Sequence, residues 1–151
     1  MHLSLENNIF ELQPKSLAIL PVSFDDKIWL QVMNAAFEGH DLTTNQYSQA
    51  LGRAQTKGID MQHFQGCINN QPVATLTLTF LNNCVKVDNV ATHPNHQRQG
   101  YALQMLQFGL ELAQANGAKH CFLDASSDGL NLYKRCGFAE IFTYHIYGIN
   151  R

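Results

Sequence analysis

The 151-residue sequence has no long apolar run, few basic residues and no closely spaced pair of cysteines. A helix that crosses a bilayer needs about 20 consecutive apolar residues, and no stretch approaches that length, so we predict no membrane partner. Ten lysines and arginines stand against 12 aspartates and glutamates, for a net charge of −2. This balance offers no general surface for nucleic acid. The length predicts a single domain over residues 1–151, with residues 1–16 as a weakly patterned extension.

The four cysteines lie far apart in apolar or strand-like sequence and form no Cys-x-x-Cys pair. This placement is typical of buried thiols in a reducing cytosol, and a disulfide or metal framework is the alternative. The first residues lack the basic start and apolar run of a secretory signal, so we expect a cytoplasmic location. His93 and His96 lie on a loop without cysteine or carboxylate partners, and we therefore expect no metal site.

Three common catalytic or nucleotide-binding signatures are missing from the sequence. A P-loop would need Gly-x-x-x-x-Gly-Lys-Ser/Thr, and a dinucleotide site would need Gly-x-Gly-x-x-Gly. A hydrolase of the α/β type would need the Gly-x-Ser-x-Gly elbow, and the segment "DASSDG" does not provide it. None of these three signatures therefore indicates the function of the protein, and other motifs have to be considered.

Hydrophobic patterns and turn signals predict the element order β-α-α-β-β-β-α-β-α-β. The predicted strands cover residues 16–22, 63–69, 73–81, 84–92, 119–126 and 138–149. The predicted helices cover residues 25–37, 43–58, 100–116 and 128–136. A first half linked by hairpins followed by a βαβ unit predicts a mixed α/β or α+β sheet with helices packed on it.

The stretch "HPNHQRQGYALQML" joins the end of one predicted strand to the start of a long helix. The first N–H groups of a helix have no partner inside the helix, and the helix dipole adds partial positive charge there. Such a junction binds phosphate or pyrophosphate without a basic patch. Gly100 and Ala102 leave room for an anion, Arg98 adds a charge, and Gln97 and Gln99 add amide donors. An ordinary capped loop is the alternative for this stretch alone.

A second segment, "NLYKRCGF" (residues 131–138), follows the next predicted strand about thirty residues downstream. Together with Gln97-x-x-Gly100-x-Ala102, it resembles the GNAT superfamily of N-acetyltransferases. That family has Gln/Arg-x-x-Gly-x-Gly/Ala at its pyrophosphate loop and Leu-Tyr followed by Gly-Phe on its last helix. The likeness is specific from about Val87 to Phe138, and over the first half of the chain only the order of elements matches.

The resemblance implies a central mixed sheet of six to seven strands flanked by about four helices. It also implies acetyl-coenzyme A as the cosubstrate, with no metal. The strand before the loop would splay from its parallel neighbour, and the pantetheine arm would fill the gap. The implied contacts with this cosubstrate are Val90, Ala91, Thr92, Gln97, Arg98, Gln99, Gly100, Tyr101, Ala102, Leu103 and Asn131.

The resemblance also implies catalytic roles. Tyr133 matches the family tyrosine that protonates the departing thiolate, and a packed aromatic residue is the alternative for Tyr133. Many members carry a glutamate as general base on the fourth strand, and Lys86 stands at that position here. Asp88 lies two residues further on the same face of the strand and is a candidate base. A structural aspartate is the equal alternative for Asp88. The base can also be water relayed by the backbone, or absent for an amine that is already neutral.

The acceptor would be a small-molecule amine or a peptide amine. In this family the end of the first helix and its following loop form a wall of the acceptor pocket, which implies roles for Phe37, Glu38 and Asp41. A solvated loop is the alternative for these residues. A homodimer through the terminal strands is common in the family and is expected here on that ground alone. The competing hypothesis for the whole chain is a coenzyme-A-binding sensor or regulatory module without turnover.

Overall fold

The computed structural model describes residues 1–6, 8, 16–37 and 41–145, except for the side chains of residues 41–43. Within these residues the chain forms six strands and four helices. The strands are β1 (His2–Ser4), β2 (Ala18–Val22), β3 (Asp60–Ile68), β4 (Gln71–Leu81), β5 (Cys84–Thr92) and β6 (His120–Leu123). The helices are α1 (Lys27–Ala36), α2 (Asp41–Thr56), α3 (Tyr101–Ala115) and α4 (Leu130–Arg135).

All six strands belong to one mixed sheet in the order β1-β6-β5-β4-β3-β2. The pairs β2–β3, β3–β4, β4–β5 and β1–β6 are antiparallel, and β5–β6 is parallel. The parallel pair is joined by the crossover through α3, as a βαβ unit requires. This arrangement confirms the predicted mixed sheet of six to seven strands with about four helices.

The two faces of the sheet are covered by different helices. Leu76 and Leu78 of β4 face α3, where the absence of a side chain at Gly109 lets the helix approach both leucines closely. Thr77 alternates with them and faces the other way. There it bonds to His63, whose ring meets the edge of Trp29 on α1. The helices α3 and α1 therefore pack on opposite faces, with β4 and β5 in the middle.

Asp25, at the start of the helix predicted over residues 25–37, is a suitable N-cap residue, but the structure differs from this prediction by one residue. Asp26 is the N-cap, and its side chain accepts bonds from the N–H groups of Ile28 and Trp29. The helix therefore buries Trp29 together with Val32 and Met33, whereas Ile28 is exposed. Trp29 is fully buried, and its indole N–H donates to the carbonyl of Phe64 at 3.0 Å.

Three further differences from the sequence prediction concern strands. The alternation of leucine and threonine in β4 predicts a strand buried on one face, but Thr75 and Thr77 are fully buried as well, because α1 covers the threonine face. Residues 2–4, within the expected extension, form an edge strand of the same sheet. The predicted last strand is wrong for the described residues after Phe138, where only Ala139 bridges to His2.

The burial of His63 predicts that the free energy of unfolding depends on pH. Its side chain is 3% exposed, Nδ1 lies 2.9 Å from the hydroxyl of Thr77, and Nε2 is buried without a partner. Burial lowers the pKa of His63 from its ordinary value of 6.5. Below that pH the unfolded chain binds a proton at this histidine, whereas the folded chain does not. The free energy of unfolding therefore decreases as the pH falls, by at most about 1.4 kcal/mol per pH unit.

We therefore expect urea unfolding at several values between pH 7.5 and pH 5 to show this loss in the wild type. In His63→Gln, which keeps an amide able to bond to Thr77, the loss between pH 6.5 and pH 5 should be smaller. Equal pH dependence of the two proteins would contradict the assignment to His63.

Candidate functional site

The parallel strands β5 and β6 stay together for only four residue pairs. Backbone pairing runs from Cys84 opposite His120 to Val87 opposite Leu123, and there β6 ends while β5 continues to Thr92. Over residues 88–92, the edge of β5 that faces away from β4 therefore has no strand partner among the described residues. We call the region beside this unpaired edge the gap, and its apex lies just beyond Val87 and Leu123, where the pairing of the two strands ends.

The backbone of β5 points alternate groups into this gap. The N–H of His93 donates to the carbonyl of Val73, which continues the ladder on the β4 side. Because successive residues of a strand direct their N–H and C=O groups to opposite sides, the groups of Thr92 and Val90 point away from β4. These are the positions that the family resemblance implied for a ligand lying in the gap.

A β-bulge interrupts β5 at the apex of the gap. Thr77 pairs with Asp88 and Thr75 pairs with Ala91, so β5 has one more residue than β4 between these pairs. Asn89 takes up the difference with a φ of 54°, in the left-handed region that asparagine tolerates better than most residues. A bulge re-aims the backbone that follows it, which here means the backbone of Val90 and beyond.

The loop after β5 supplies a row of free hydrogen-bond donors. His93 caps a single 3₁₀ turn (Pro94–His96), after which Arg98 and Gly100 adopt left-handed φ values of 62° and 80°. Left-handed residues alternating with right-handed ones turn successive N–H groups toward one concave side. Among the described residues, no acceptor bonds to the N–H groups of Arg98, Gln99, Gly100, Tyr101, Ala102 and Leu103.

This row of six N–H groups coincides with the positive end of the 15-residue helix α3. The side chains around it are open, since Gln97, Arg98, Gln99 and Gly100 are all exposed. Thr92, at the neighbouring end of β5, has a buried hydroxyl oxygen with no hydrogen-bond partner in the described part of the chain. The arrangement fits an anion with several oxygens, such as a diphosphate, because each N–H can donate to a different oxygen.

Three charged side chains surround the apex of the gap on the face opposite α3. The Nζ of Lys86 lies 3.1 Å from a carboxylate oxygen of Asp88 and 3.1 Å from one of Asp124. Asp88 and Asp124 are the first residues after the last paired positions of β5 and β6. Burial lowers the pKa of Lys86, but its hydrogen bonds to the two aspartates outweigh this effect and raise the pKa overall. Lys86 is therefore charged at neutral pH.

Tyr133 reaches the gap from the α3 face. The residue is 8% exposed and packs edge-on against Phe138, and its hydroxyl has no hydrogen-bond partner within the described residues. Burial and, to a smaller extent, the charges of Cys136 and Asp88 raise the pKa of Tyr133 to about 12. The ring lies against Gly129, where a Cβ atom would come within 2.8 Å of it. Gly129 thus fixes the depth at which the phenol sits.

The remaining predicted site residues lie at the edges of this region or outside it. Asn131 is exposed in the first turn of α4, and Phe37 caps the end of α1 with its side chain 59% exposed. Asp41 begins α2, but its side chain is not described, and Glu38 lies outside the described residues. The structure places Asp88, Val90 and the loop residues at the gap. The acceptor contacts of Phe37, Glu38 and Asp41 stay predictions.

Sequence reasoning missed three residues at the apex: Tyr47, Asn89 and Asp124. A signal for Asn89 exists in the sequence. In "CVKVDNVAT" the valines at 85 and 87 predict that position 89 faces the core, but an asparagine stands there and the next valine is at 90. Val90 packs against the core, so the alternation slips by one residue, which is typical of a bulge. Tyr47 gave no such signal, because it lies on the weakly amphipathic helix α2.

The described part of the chain contains neither a metal site nor a membrane-spanning helix. No group of three or more histidine, cysteine, aspartate or glutamate side chains is arranged to hold a metal ion there. The rings of His93 and His96 are 6.0 Å apart, centroid to centroid, and have no third ligand nearby. Among the described helices, none is both long enough and apolar enough to span a bilayer.

Comparison with known structures finds the same fold in acetyltransferases. A proposed acetyltransferase from Pyrococcus horikoshii is 20% identical with a TM-score of 0.71, over 89% of this chain and 47% of that one. An N-acetyltransferase from Thermoplasma acidophilum in complex with coenzyme A is 14% identical with a TM-score of 0.66, over 83% and 91% of the two chains. An aminoglycoside acetyltransferase from an uncultured soil sample, in complex with sisomicin, is 19% identical with a TM-score of 0.67, over 90% and 97%.

These identities are too low to show more than the fold, and the chain spans about half the length of the Pyrococcus protein. No curated protein sequence matches the chain significantly. The model of the acetyltransferase (GNAT) family, however, matches residues 28–138, which is more than two thirds of the chain. The matched range includes the gap, the loop with its free N–H groups, and Tyr133, so this chain belongs to the GNAT family of acetyltransferases.

Proposed function

We propose that this protein transfers the acetyl group of acetyl-coenzyme A to an amine by direct attack of the amine on the thioester. The observation that carries the proposal is the row of six free N–H groups (Arg98–Leu103) at the end of a strand edge that has lost its partner. Family membership supports acetyl transfer, and a relative with the same fold binds coenzyme A.

The pyrophosphate of the cosubstrate would lie on the row of N–H groups at the start of α3. Six donors and the helix dipole together stabilise a doubly charged anion without a lysine cluster. Gly100 keeps this surface free of a Cβ atom, and no neighbouring atom lies within 4 Å of the place where one would be. Arg98 would add a positive charge beside the phosphates, and Asn131 would contact the pantetheine from α4.

The pantetheine arm would enter the gap between β5 and β6 like an additional strand. The outward-facing backbone groups of Val90 and Thr92 would bond to its amides. The thioester would then lie at the apex, where an N–H of β5 just past the bulge would donate to its carbonyl oxygen. A fixed donor at that oxygen stabilises the negative charge that develops as the amine attacks.

Tyr133 would protonate the thiolate that leaves when the tetrahedral intermediate collapses. A pKa of about 12 keeps the phenol protonated throughout the physiological range, so it is always ready to donate. Its hydroxyl has no partner in the described residues, and it is therefore free to bond to the sulfur. The proton passes from the phenol to the sulfur as the C–S bond breaks, which releases coenzyme A, and the phenolate then regains a proton from water.

Two carboxylates face the side from which the amine would approach. Asp88 is the proposed acceptor of the proton that the amine loses, directly or through water, and its carboxylate is held in place by Lys86. Together the two aspartates and Lys86 carry one net negative charge, which favours a cationic amine. Phe37 and Asp41, at the junction of α1 and α2, are proposed to contact the rest of the acceptor.

A covalent intermediate on cysteine is not part of the proposed mechanism. Cys136 lies within the segment of residues 131–138, and burial raises the pKa of its thiol despite an opposite effect of Arg135. A thiol that stays protonated is a poor nucleophile. The amine therefore attacks the thioester itself, and the reaction needs a complex that holds both substrates at once.

The anion-binding role of the loop can be tested with Gly100→Glu and the matched variant Gly58→Glu. Both glycines have positive φ, of 80° and 83°, and both have open space around the missing Cβ. The folds should therefore be destabilised to a similar extent, by about 1–2 kcal/mol. Only Gly100→Glu puts a carboxylate beside the phosphates, and we expect calorimetry to show coenzyme A binding weakened about tenfold or more.

Equal affinities of the two variants would contradict binding at this loop. A wild-type protein that binds neither coenzyme A nor acetyl-coenzyme A would contradict the proposed function altogether. Binding without release of free thiol, for a panel of polyamines, aminosugars, aminoglycosides and peptides, would instead support the sensor module. Lys86 in place of the family's glutamate is the observation that favours this second function.

The proposed acid can be tested with Tyr133→Phe, and Tyr144→Phe serves as the control because Tyr144 is 53% exposed. We expect the first variant to lower turnover by about tenfold to a hundredfold, the low end for general acids, because a thiolate leaves fairly well even unprotonated. Affinity for coenzyme A should be unchanged in both. Wild-type turnover should not decline near pH 10, where an ordinary tyrosine ionises, and such a decline would count against Tyr133.

A further inference from the structure

A chain of hydrogen bonds runs from the interior of the sheet to the bulge beside the proposed acyl site. It begins at His63, whose Nδ1 lies 2.9 Å from the hydroxyl of Thr77. The same hydroxyl accepts a bond of 2.9 Å from Nδ2 of Asn89. The amide of Asn89 also meets the hydroxyl of Tyr47 on α2, with Nδ2 at 3.0 Å and Oδ1 at 3.1 Å. Four side chains from four elements are thus linked in one line.

A fifth side chain holds the backbone of the same residue. The hydroxyl of Thr75 donates to the carbonyl oxygen of Asn89 at 2.7 Å. Thr75 and Thr77 are fully buried, and His63 is 3% exposed, so water competes little at the β4 end of these bonds. Hydroxyl groups that are buried and satisfied rigidify the backbone around them. Asn89 is therefore fixed at both its side chain and its carbonyl group, from the β4 side.

The bulge at Asn89 determines the backbone orientation of the residues after it. A β-strand without a bulge would direct the N–H of Asn89, rather than that of Val90, away from β4 at this level. The left-handed φ of Asn89 rotates the chain so that Val90 turns its side chain to the core and its backbone to the gap. The direction of this N–H thus depends on how firmly the bulge is held.

We infer that Asn89 is a positioning residue, which, through its bonds to Thr77, Thr75 and Tyr47, aims the backbone N–H of Val90 at the carbonyl oxygen of the thioester. This inference rests on the proposed acetyl transfer and adds the means by which the oxyanion donor is oriented. Tyr47 belongs to α2, which begins at Asp41 on the proposed acceptor side. Its bond to Asn89 therefore links the acceptor side of the protein to the N–H of Val90. Asn89 itself touches no reacting atom.

The test compares Asn89→Gly with Asn82→Gly. Both asparagines are left-handed, with φ values of 54° and 53°, and glycine keeps that conformation accessible in each. Asn82, however, lies in the β4–β5 turn at the other end of the strand. Tyr47→Phe provides a milder variant, since it removes one hydroxyl of a residue that is 38% exposed. Calorimetry on each protein measures the affinities for acetyl-coenzyme A and coenzyme A, and melting curves check the fold.

We expect Asn89→Gly to bind coenzyme A normally but to lose about fivefold in affinity for acetyl-coenzyme A, since the carbonyl oxygen loses one aimed hydrogen bond. Turnover at saturating acetyl-coenzyme A should fall about tenfold or more, towards the loss seen when one oxyanion donor is removed. The Michaelis constant for the acceptor should change little. Tyr47→Phe should show the same changes in smaller measure, and Asn82→Gly should show none.

An unchanged ratio of the two affinities in Asn89→Gly, with the wild type binding both ligands, overturns the inference and leaves the proposed function intact. Equal losses in Asn89→Gly and Asn82→Gly also overturn it, because they would reflect general loosening of β5. A wild type that binds neither ligand refutes the proposed function instead. The two failures are therefore distinguishable in a single set of titrations.

Discussion

The end of backbone pairing between β5 and β6 is the constraint on which the rest of the site depends. The two strands share four residue pairs and then separate, because β6 stops at Leu123 while β5 follows β4 for five more residues. The groups proposed to bind the pyrophosphate and to transfer protons lie along that opening. The free N–H groups of the loop lie at its wide end, and Tyr133 approaches its narrow end from one face. The triad of Lys86, Asp88 and Asp124 surrounds the narrow end on the other face.

The bulge shows how a buried polar network directs an exposed backbone. Threonines at two neighbouring inward positions of β4 would weaken an ordinary core, because each brings a hydroxyl that must be satisfied. Here both hydroxyls bond to Asn89, one to its carbonyl oxygen and one to its amide. The two buried hydroxyl groups are therefore satisfied, and they hold Asn89 in a way that two apolar side chains could not. These bonds allow β4 to be buried on both faces, although its alternation suggests a strand half exposed to water.

The fold was predictable from the sequence because its signals are local and strong. Asn82 and Gly117 take the left-handed φ values that their turns require, and the boundaries of β5 agree with the prediction at both ends. The loop and Tyr133 were singled out because they form a compact motif, and their roles stay predictions. What escaped prediction depends on contacts between distant segments. Tyr47 meets Asn89 across 42 residues, and residues 2–4 join the sheet beside β6, more than 110 residues away. No pattern within either segment announces such a partner, and the described residues 140–145 were wrongly predicted as part of a strand.

An open backbone edge in the middle of a sheet carries a risk as well as a function. Unpaired N–H and C=O groups on a strand are a template for pairing with another chain, and proteins normally cover or disrupt such edges. The stretch of β5 past Val87 is such an edge, and its bend at Asn89 limits the length of straight strand that another chain could match. The pantetheine arm, bound as proposed, would complete the hydrogen bonding of the sheet. Binding of the cosubstrate would then also protect this edge against pairing with another chain.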